Sequence, residues 1–335
     1  MKSSFVLGSS LALFMGTAVA QYDEEVCDEQ RFGEYSDPRV YFPNAWNEKK
    51  DPDGFICMKV DNSTPAFDVT WNWSTDINDV HSFPYVRLND ADLPTRLSTL
   101  REIRLSVDWT MTAGNPSTPP RNFTQAAWEE NKVGLDREAV RANAAWDFFL
   151  DGNKTNTYNP VEATIEVMVW LGRVGNPYWL GRADDKKISE VTIGNYTFDL
   201  YHALNFRNHS VFTAVPQSED DILTFDEDLQ PLFKYILDNP TNIEDFPEDP
   251  WLGIVEFGSE TWQSDGNVTF TAANFAMQLD ADGPSNDAGN GGGNGGSGNG
   301  NGGTGNDDGS AAAITSMSVL GFVLPAMAML GAVWA

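Results

Sequence analysis

The sequence predicts an all-β protein in which two antiparallel sheets stack as a sandwich. Apolar and polar residues alternate in three segments, Phe67–Trp73, Ile103–Trp109 and Asn267–Thr271. A period of two is typical of a strand that buries one face. Clusters of Gly, Pro, Asn and Asp separate these segments, as turns between short strands require. Sandwiches of roughly 200–250 residues are common as single domains, so one such domain accounts for most of the chain.

Helical spacing is restricted to two places. In Asp226–Leu237 the apolar residues Leu229, Leu232, Phe233 and Ile236 recur at the spacing of one helix face. The sequence therefore predicts one short helix there, with Thr124–Asn131 as a second candidate.

The first twenty residues have the pattern of a secretory signal. Met1–Ala20 begins with Lys2, continues through the apolar stretch Phe5–Met15 and ends in Ala18-Val19-Ala20. A basic start, a short apolar centre and a small-x-small ending predict a cleavable signal peptide. The alternative is an uncleaved anchor, for which the apolar stretch is short.

The C-terminal region predicts a tether. Residues 283–310 are almost entirely Gly, Asn, Ser and Asp, a composition that buries no apolar surface and is typical of a flexible linker. Residues 311–335 are apolar and follow the small residues Gly309 and Ser310. This order predicts a GPI-attachment signal, with a transmembrane anchor as the alternative. We therefore expect residues 21–282 to form an extracellular domain attached to the plasma membrane or cell wall.

The charge of the chain excludes some partners. There are 21 Lys and Arg against 49 Asp and Glu, a net charge of −28. Nucleic acid and anionic lipid would be repelled, so membrane association is expected only through the C-terminal anchor. A neutral polysaccharide is compatible with this charge, although extracellular solubility alone also explains it. We expect a monomer.

The cysteines and sequons agree with a secreted chain. Cys27 and Cys57 are the two cysteines, and an even count in a secreted protein predicts one disulfide. Seven Asn-x-Ser/Thr sequons predict N-glycosylation: Asn62, Asn72, Asn122, Asn153, Asn195, Asn208 and Asn267. The three histidines, His81, His202 and His209, have no metal-ligand spacing, and we expect neither a metal nor a cofactor.

The segment Thr164–Leu171 is the first that carries chemistry. In a strand, Ile165, Val167, Val169 and Leu171 would share a core face, and Glu166, Met168 and Trp170 the opposite face. A carboxylate between Met and Trp indicates a groove floor on which a sugar ring can stack. The alternative is a half-exposed Glu on an edge strand.

The segment Ile254–Trp262 is the second. Alternation places Glu256, Gly258, Glu260 and Trp262 on one face, and a mid-strand Gly often marks the close approach of a ligand or backbone. Glu260 is the candidate catalytic acid, and Glu256 is an alternative on the same face. The other interpretation is that Glu260 is a solvated surface acid with no role in catalysis.

A third acid lies in Asn143–Leu150. Trp146, Phe148 and Leu150 would share one face and Asp147 the other. If this strand neighbours the Glu166 strand, Asp147 would lie beside Glu166; otherwise it is a surface residue.

Two nearby carboxyls are what retaining cleavage of a glycosidic bond requires. The two groups lie about 5–5.5 Å apart in such enzymes. One attacks the anomeric carbon and the other protonates the departing oxygen. A third acid can hydrogen-bond the nucleophile and set the protonation of the pair.

These motifs resemble family 12 of the glycoside hydrolases, which contains small endoglucanases and xyloglucanases. Glu166-Val167-Met168-Val169-Trp170 is similar to the family's nucleophile strand, and Phe257-Gly258-Ser259-Glu260 to its acid/base strand. Further similar segments are Ala145–Leu150, Asn44–Asn47, Trp71–Trp73 and His81–Tyr85. The elements occur in the family's order, from Cys27 to about Leu279.

The resemblance implies a β-jelly roll of two curved sheets with an open groove and internal cleavage of a polymer. It implies Glu166 as nucleophile, Glu260 as acid/base and Asp147 as the auxiliary acid. Asn44 and Trp46 would bind substrate, Trp170 would be a second sugar platform, and Cys27 and Cys57 would pair. Met168 and Trp262 complete the expected substrate-binding set. No cofactor is implied.

The chain departs from the family pattern after the nucleophile strand, where Asn176–Gly181 differs from the usual loop. Substrate preference is therefore open. We expect an endo-β-1,4-glucanase acting on cellulose-type or mixed-linkage β-glucan. The alternatives are a xyloglucan-specific enzyme, a wall-remodelling transglycosylase and a non-catalytic glucan-binding protein.

Overall fold

The computed structural model describes residues 24–35, 37–61, 63–114, 124–183, 186–239 and 246–282. This part of the chain forms sixteen strands and two helices. The strands are β1 (Glu24–Cys27), β2 (Arg39–Phe42), β3 (Phe55–Asp61), β4 (Ala66–Asn72), β5 (Tyr85–Leu88), β6 (Thr95–Arg96), β7 (Leu100–Ala113), β8 (Arg141–Asp151), β9 (Ile165–Val174), β10 (Lys187–Ile193), β11 (Tyr196–Leu204), β12 (Ser210–Pro216), β13 (Thr224–Asp228), β14 (Trp251–Gly258), β15 (Thr261–Gln263) and β16 (Val268–Ala281). The helices are α1 (Gln125–Arg137) and α2 (Gln230–Asp238).

The strands form two sheets, which confirms the predicted jelly-roll class. One sheet has six strands in the order β1-β3-β4-β16-β7-β13. The other has ten, in the order β10-β11-β12-β9-β8-β14-β5-β2, with β15 paired to β8 and β6 to β14. The ten-stranded sheet contains one parallel pair, β9 with β12, where the sequence predicted antiparallel pairing. β10 pairs antiparallel with β11, and β11 pairs antiparallel with β12. β12 therefore runs in the same direction as β10, and it lies beside β9 as a parallel neighbour.

The core lies between the sheets. Ile165, Val167, Val169 and Leu171 of β9 are all buried in it, as their alternation predicts. Large aromatic side chains from both sheets fill the same cluster, among them Trp109, Trp146, Phe257 and Phe270. Full burial of each large apolar side chain contributes about 1.5–3 kcal/mol, so this face holds the sheets together.

The structure has two helices where the sequence predicted one, and the boundaries differ. Residues Thr224–Asp228 form β13 and pair with β7, so the predicted helix at 226–237 begins only at Gln230. The second candidate forms α1 and extends to Arg137, with Thr124 capping its first turn through a hydrogen bond from the Ala127 N–H. The indole of Trp128 anchors α1, because its N–H donates to Asp221 over 2.7 Å.

The predicted disulfide is confirmed. Cys27 and Cys57 lie opposite each other on β1 and β3 and form a disulfide bond. The bond fixes β1, the edge strand of the six-stranded sheet, to its neighbour.

The predicted signal (1–20), linker (283–310) and anchor (311–335) lie outside the described residues, as do the sequon residues Asn62 and Asn122. The other five sequon asparagines are exposed, except Asn72, which is half-buried. No helix among the described residues is long and apolar enough to cross a membrane.

Candidate active site

The acids lie on the face of the ten-stranded sheet that points away from the core. Strand pairing arranges this face in three rows that run across the strands. The first row is Glu166, Phe149 and Ile254; the second is Met168, Asp147, Glu256 and Arg87; the third is Trp170, Ala145, Gly258 and Tyr85. Residues that are far apart in the chain therefore become immediate neighbours on β9, β8, β14 and β5.

Glu166 lies where the alternation of its strand predicts. Its neighbours on the same face, Met168 and Trp170, are buried in a small cluster separate from the main core. Burial and the nearby charge of Glu256 raise the pKa of the Glu166 carboxyl to about 7. No Lys or Arg forms an ion pair with it among the described residues, so no cation offsets that rise.

Glu260 is positioned by Asn143 rather than by regular strand alternation. β14 ends at Gly258 and β15 begins at Thr261, so the predicted continuous strand through 262 is interrupted at the acid itself. The Glu260 N–H donates to the Asn143 side-chain oxygen over 2.7 Å, and the Asn143 amide donates to the Glu260 carboxylate. The Asn143 N–H also donates to the Glu260 carbonyl over 3.1 Å. Three hydrogen bonds thus fix the acid to β8.

A buried aromatic network supports the segment that follows Glu260. The Trp73 indole N–H donates to the Thr261 hydroxyl over 2.9 Å, and the Ser82 and Thr261 hydroxyls are 2.6 Å apart. His81 stacks on Trp73 with ring centroids 4.9 Å apart, and its Nδ1 lies 2.7 Å from the Trp262 carbonyl. Two of the segments that carried the sequence resemblance therefore have a structural role here, because they hold β15 in place.

Burial and the negative charge of Glu166 raise the pKa of Glu260 to about 8, although the Asn143 hydrogen bond lowers it. Of the two acids, Glu166 therefore ionises first and Glu260 keeps its proton longer. A carboxylate beside a protonated carboxyl is the arrangement that double displacement at a glycosidic carbon uses.

Asp147 lies beside Glu166 as the sequence proposed, because β8 and β9 are neighbours. Its side chain is buried, and its Oδ1 has no hydrogen-bond partner among the described residues. Burial, together with the charges of Glu166, Glu256 and Glu260, raises its pKa well above the usual range. The raised pKa favours the protonated form of Asp147, which can donate a hydrogen bond to a neighbouring carboxylate.

Glu256, the alternative acid, is held in an ion pair. Its Oε1 accepts from Arg87 Nη2 over 2.6 Å and from Arg87 Nε over 2.8 Å. The side chains of Glu256 and Arg87 are 2% and 7% exposed. A carboxylate held in a two-point contact with a buried guanidinium is unavailable to a substrate, so Glu260 is the better acid/base candidate.

The predicted substrate-binding residues divide into exposed and covered ones. Trp46 is 37% exposed and follows Asn44, whose φ of +51° sets a turn. Trp170 is only 1% exposed, because Trp179 and Trp262 pack against it with ring centroids 5.8 and 6.3 Å away. The prediction that Trp170 is an open sugar platform is therefore wrong for this structure. Met168 and Trp262 are also covered and belong to the same cluster.

Gly258 marks a close backbone approach, one of the two possibilities that the sequence raised. A Cβ atom at this position would lie 2.2 Å from the Pro84 carbonyl oxygen. Only glycine lets β14 and the segment before β5 meet beside Glu260.

Sequence reasoning missed Asn143 and Arg87. Asn143 carries a visible signal, since alternation along β8 places it on the face of Asp147. Arg87 shows no such signal, because its partner Glu256 is 169 residues away. The described residues contain no group of three or more His, Cys, Asp or Glu that could hold a metal ion.

The fold and the acid pair define a class: a β-jelly-roll glycoside hydrolase. Residues 122–280 match the family description "Glycosyl hydrolase family 12", and this segment contains all three candidate acids. The resemblance found in the sequence is confirmed over this segment, which is just under half of the chain. No curated protein matches the chain.

Solved structures share the fold. The catalytic domain of Humicola grisea Cel12A is 24% identical, covers 76% of this chain and 99% of its own, and has a TM-score of 0.59. Trichoderma harzianum endoglucanase 3 is 21% identical, with coverage of 78% and 100% and a TM-score of 0.59. A Bacillus licheniformis family 12 xyloglucanase is 16% identical, with coverage of 77% and 100% and a TM-score of 0.58.

Proposed function

We propose that the protein is a secreted, surface-anchored, retaining endo-β-1,4-glucanase that hydrolyses cellulose-type or mixed-linkage β-glucan. The observation that carries the proposal is the placement of two acids on neighbouring strands of one sheet: Glu166 on β9, and Glu260 held against Asn143 of β8. The names of two similar structures, a Cel12A in complex with a thio cellotetraose and an endoglucanase, support the substrate class.

In the first step the Glu166 carboxylate attacks the anomeric carbon. The bond from that carbon to the glycosidic oxygen breaks, and Glu260 gives its proton to the departing oxygen. In the second step Glu260 takes a proton from water, the water oxygen attacks the same carbon, and the bond to Glu166 breaks. Two inversions restore the original configuration, and Glu260 recovers its proton.

Asp147 assists the nucleophile. Asp147 is buried and its raised pKa favours the protonated form, so in this proposal it donates a hydrogen bond to the Glu166 carboxylate and stabilises the ionised form without adding a second charge. When the glycosyl–enzyme bond breaks in the second step, the same hydrogen bond stabilises Glu166 as a leaving group.

The substrate lies across the sheet face in this proposal. Trp46 supplies an exposed indole against which a sugar ring stacks, and Asn44 supplies an adjacent amide. Met168, Trp170 and Trp262 form the apolar layer beneath and around the acids. This layer excludes water from the carboxyls and helps to raise their pKa values.

The composition of the two terminal segments supports the proposed location. The signal-like start, the sequons and the Cys27–Cys57 disulfide support secretion. The linker and the apolar end support anchoring at the cell surface. We also propose that the protein acts as a monomer.

A xyloglucan-specific enzyme is the second candidate. The xyloglucanase structure has a TM-score of 0.58 against 0.59 for Cel12A, so the fold favours neither substrate. A transglycosylase would form the same covalent intermediate and transfer it to a sugar instead of water. A glucan-binding protein would bind the polymer on the same sheet face without cleaving it.

The test is hydrolysis by the purified full chain. Viscosity loss and reducing-end release would be followed on barley β-glucan, carboxymethylcellulose and xyloglucan, and proton NMR would identify the first anomer released. Fast viscosity loss with a β-anomeric product supports a retaining endo-hydrolase, and the best polymer identifies the substrate. An α-anomer would overturn retention. Binding without cleavage would favour the non-catalytic alternative, and chain lengthening at high acceptor concentration would favour the transglycosylase.

A further inference from the structure

One hairpin places an exposed aromatic ring beside a sequon asparagine. Residues 205–209 join β11 to β12, and Leu204 pairs with Ser210 at the base of this loop. Within the loop, Phe206 lies two residues before Asn208, which begins the sequon Asn208-His209-Ser210. The residues at the same position before the other six sequon asparagines are Val60, Thr70, Pro120, Asp151, Ile193 and Asp265. Asn208 is therefore the one sequon asparagine of the seven that follows an aromatic residue at this spacing.

The loop is a tight turn fixed by its own hydrogen bonds. The Asn205 N–H donates to the His209 carbonyl over 3.0 Å, and the Asn208 N–H donates to the Asn205 carbonyl over 2.9 Å. The Asn205 side-chain oxygen accepts from the N–H groups of Arg207 and His209, over 2.9 and 3.0 Å. Asn208 has a φ of +61°, in the left-handed region that asparagine tolerates. The turn therefore holds the Cα atoms of Phe206 and Asn208 at a set separation.

Phe206 presents its ring to solvent. The residue is 69% exposed although it is large and apolar. The guanidinium carbon of Arg207 lies 5.4 Å from the centroid of the ring, and Arg207 Nη1 donates to the Val161 carbonyl over 3.2 Å. Arg207 thus links the ring to the segment before β9. The exposed surface of the ring adds to the stability of the fold only if another group covers it.

Asn208 is open to modification. It is exposed, and its side-chain amide has no hydrogen-bond partner among the described residues. By contrast, the side chains of Asn72 and Asn267 are joined by a hydrogen bond of 3.4 Å. Two residues of chain span at most about 7 Å, so a sugar attached to Asn208 Nδ2 lies within reach of the Phe206 ring.

The first sugar of an N-linked glycan suits this ring. N-acetylglucosamine is a neutral pyranose whose C–H bonds give the ring an apolar face, and such a face packs on an aromatic side chain. Its hydroxyl groups and the rest of the glycan stay in water. The contact would bury apolar surface of Phe206 and would require no charged partner.

We propose that Asn208 carries an N-linked glycan whose first N-acetylglucosamine packs on the Phe206 ring and stabilises the β11–β12 hairpin; this rests on the secretion that the proposed function includes. The donor is an oligosaccharide held on a lipid pyrophosphate. Asn208 Nδ2 forms a bond to the anomeric carbon of the donor and gives up one proton. The bond from that carbon to the phosphate oxygen breaks, and the lipid pyrophosphate leaves with the electron pair.

The experiment is a double-mutant cycle on the full chain produced in a eukaryotic secretory host. Glycopeptide mass spectrometry would give the occupancy of each sequon. Thermal unfolding would compare the unmutated chain with Phe206→Ala, Asn208→Gln and the double variant. Asn153→Gln is the matched control, because Asn153 is also exposed but follows Asp151 at the same spacing rather than an aromatic residue.

We expect Asn208 to be occupied. Phe206→Ala and Asn208→Gln should each lower Tm by about 2–4 °C, the order expected for one aromatic contact in a domain of this size. The double variant should lose no more than the larger single loss, because both changes remove the same contact. Phe206→Tyr should keep the Tm because it keeps the ring, and Asn153→Gln should have a smaller effect.

Trimming of the glycan locates the contact along it. An endoglycosidase that leaves one N-acetylglucosamine on the asparagine should leave the Tm unchanged, because that sugar makes the contact. An unoccupied Asn208 would overturn the proposal, as would single losses that add in the double variant or a loss of stability on trimming.

Hydrolysis of glucan is a separate measurement. An active enzyme with no glycan at Asn208 would reject only the glycan contact. Coupled losses at Phe206 and Asn208 in a protein that cleaves no glucan would reject the proposed activity and leave the glycan contact intact.

Discussion

Glu256 and Glu166 lie on the same sheet face within two strands of each other, yet their surroundings differ. Glu256 has a guanidinium partner on β5 at 2.6 Å, whereas Glu166 has no ion-pair partner among the described residues. Glu256 is buried and Glu166 is half-buried, and both lie near Asp147 on this face. The comparison teaches that a cation on the neighbouring strand turns one acid into a structural element and leaves the other available for chemistry.

The largest expected effect is that of Glu166→Gln. It removes the nucleophile, so kcat/KM on the preferred glucan should fall at least about 10⁴-fold with an unchanged melting temperature. Glu256→Gln is the matched control on the same face and should act mainly on stability. Equal loss of turnover in the two folded variants would show that the comparison assigns the acids wrongly.

Glu260→Gln should have the next largest effect, roughly 10²–10⁴-fold on polysaccharide. Aryl glycosides with good leaving groups should be affected least, since their departing oxygen needs no proton. The alkaline limb of the pH–rate profile should also disappear, because that limb follows the loss of the Glu260 proton. A variant that keeps this limb would contradict the role.

Arg87→Ala tests the structural role of Glu256 by removing its cationic partner. Removing one partner of a buried ion pair leaves an uncompensated charge and costs about 3–5 kcal/mol. Lys50→Ala is the control, since the Lys50–Asp79 pair is partly exposed and such pairs contribute about 0–1 kcal/mol. Denaturant unfolding near pH 7 gives both values, and similar losses would argue against the structural role of Glu256.

Asp147→Asn should reduce kcat about 10- to 100-fold, since it alters one hydrogen bond to a charged group worth about 1.5–3 kcal/mol. It should also change the pH dependence of stability. The folded pKa of Asp147 is raised, so its contribution to stability is present below the unfolded pKa and is lost as pH rises through the folded pKa. The stability of the variant relative to the natural chain should therefore increase from pH 5 to pH 9 in thermal unfolding; a constant difference would contradict this.

Asn143→Ala should have the smallest and most specific effect. Its hydrogen bond lowers the pKa of Glu260, so its loss should move the alkaline limb of kcat/KM to higher pH. A shift to lower pH would show that Asn143 favours the protonated form instead.

Much of the site was predictable because strand alternation acts locally. The period of two in β8 and β9 placed Asp147 and Glu166 on the face opposite the core, and the structure agrees. The helix at 226–237 was misplaced at its start because pairing of β13 with β7, a contact between distant segments, overrides local spacing. The Asn143 contact to Glu260, the Arg87–Glu256 pair and the covering of Trp170 also depend on long-range pairing, which a single sequence does not display.

The position of β8 has a mechanical consequence. This one strand carries Asp147, which neighbours Glu166, and Asn143, which grips Glu260 through three hydrogen bonds. The positions of both carboxyls, Glu166 and Glu260, therefore depend on the same strand at the centre of the sheet. We therefore expect the gap between the two carboxyls, on which the stereochemical outcome depends, to depend on the placement of β8 more than on the loops at the edge of the groove.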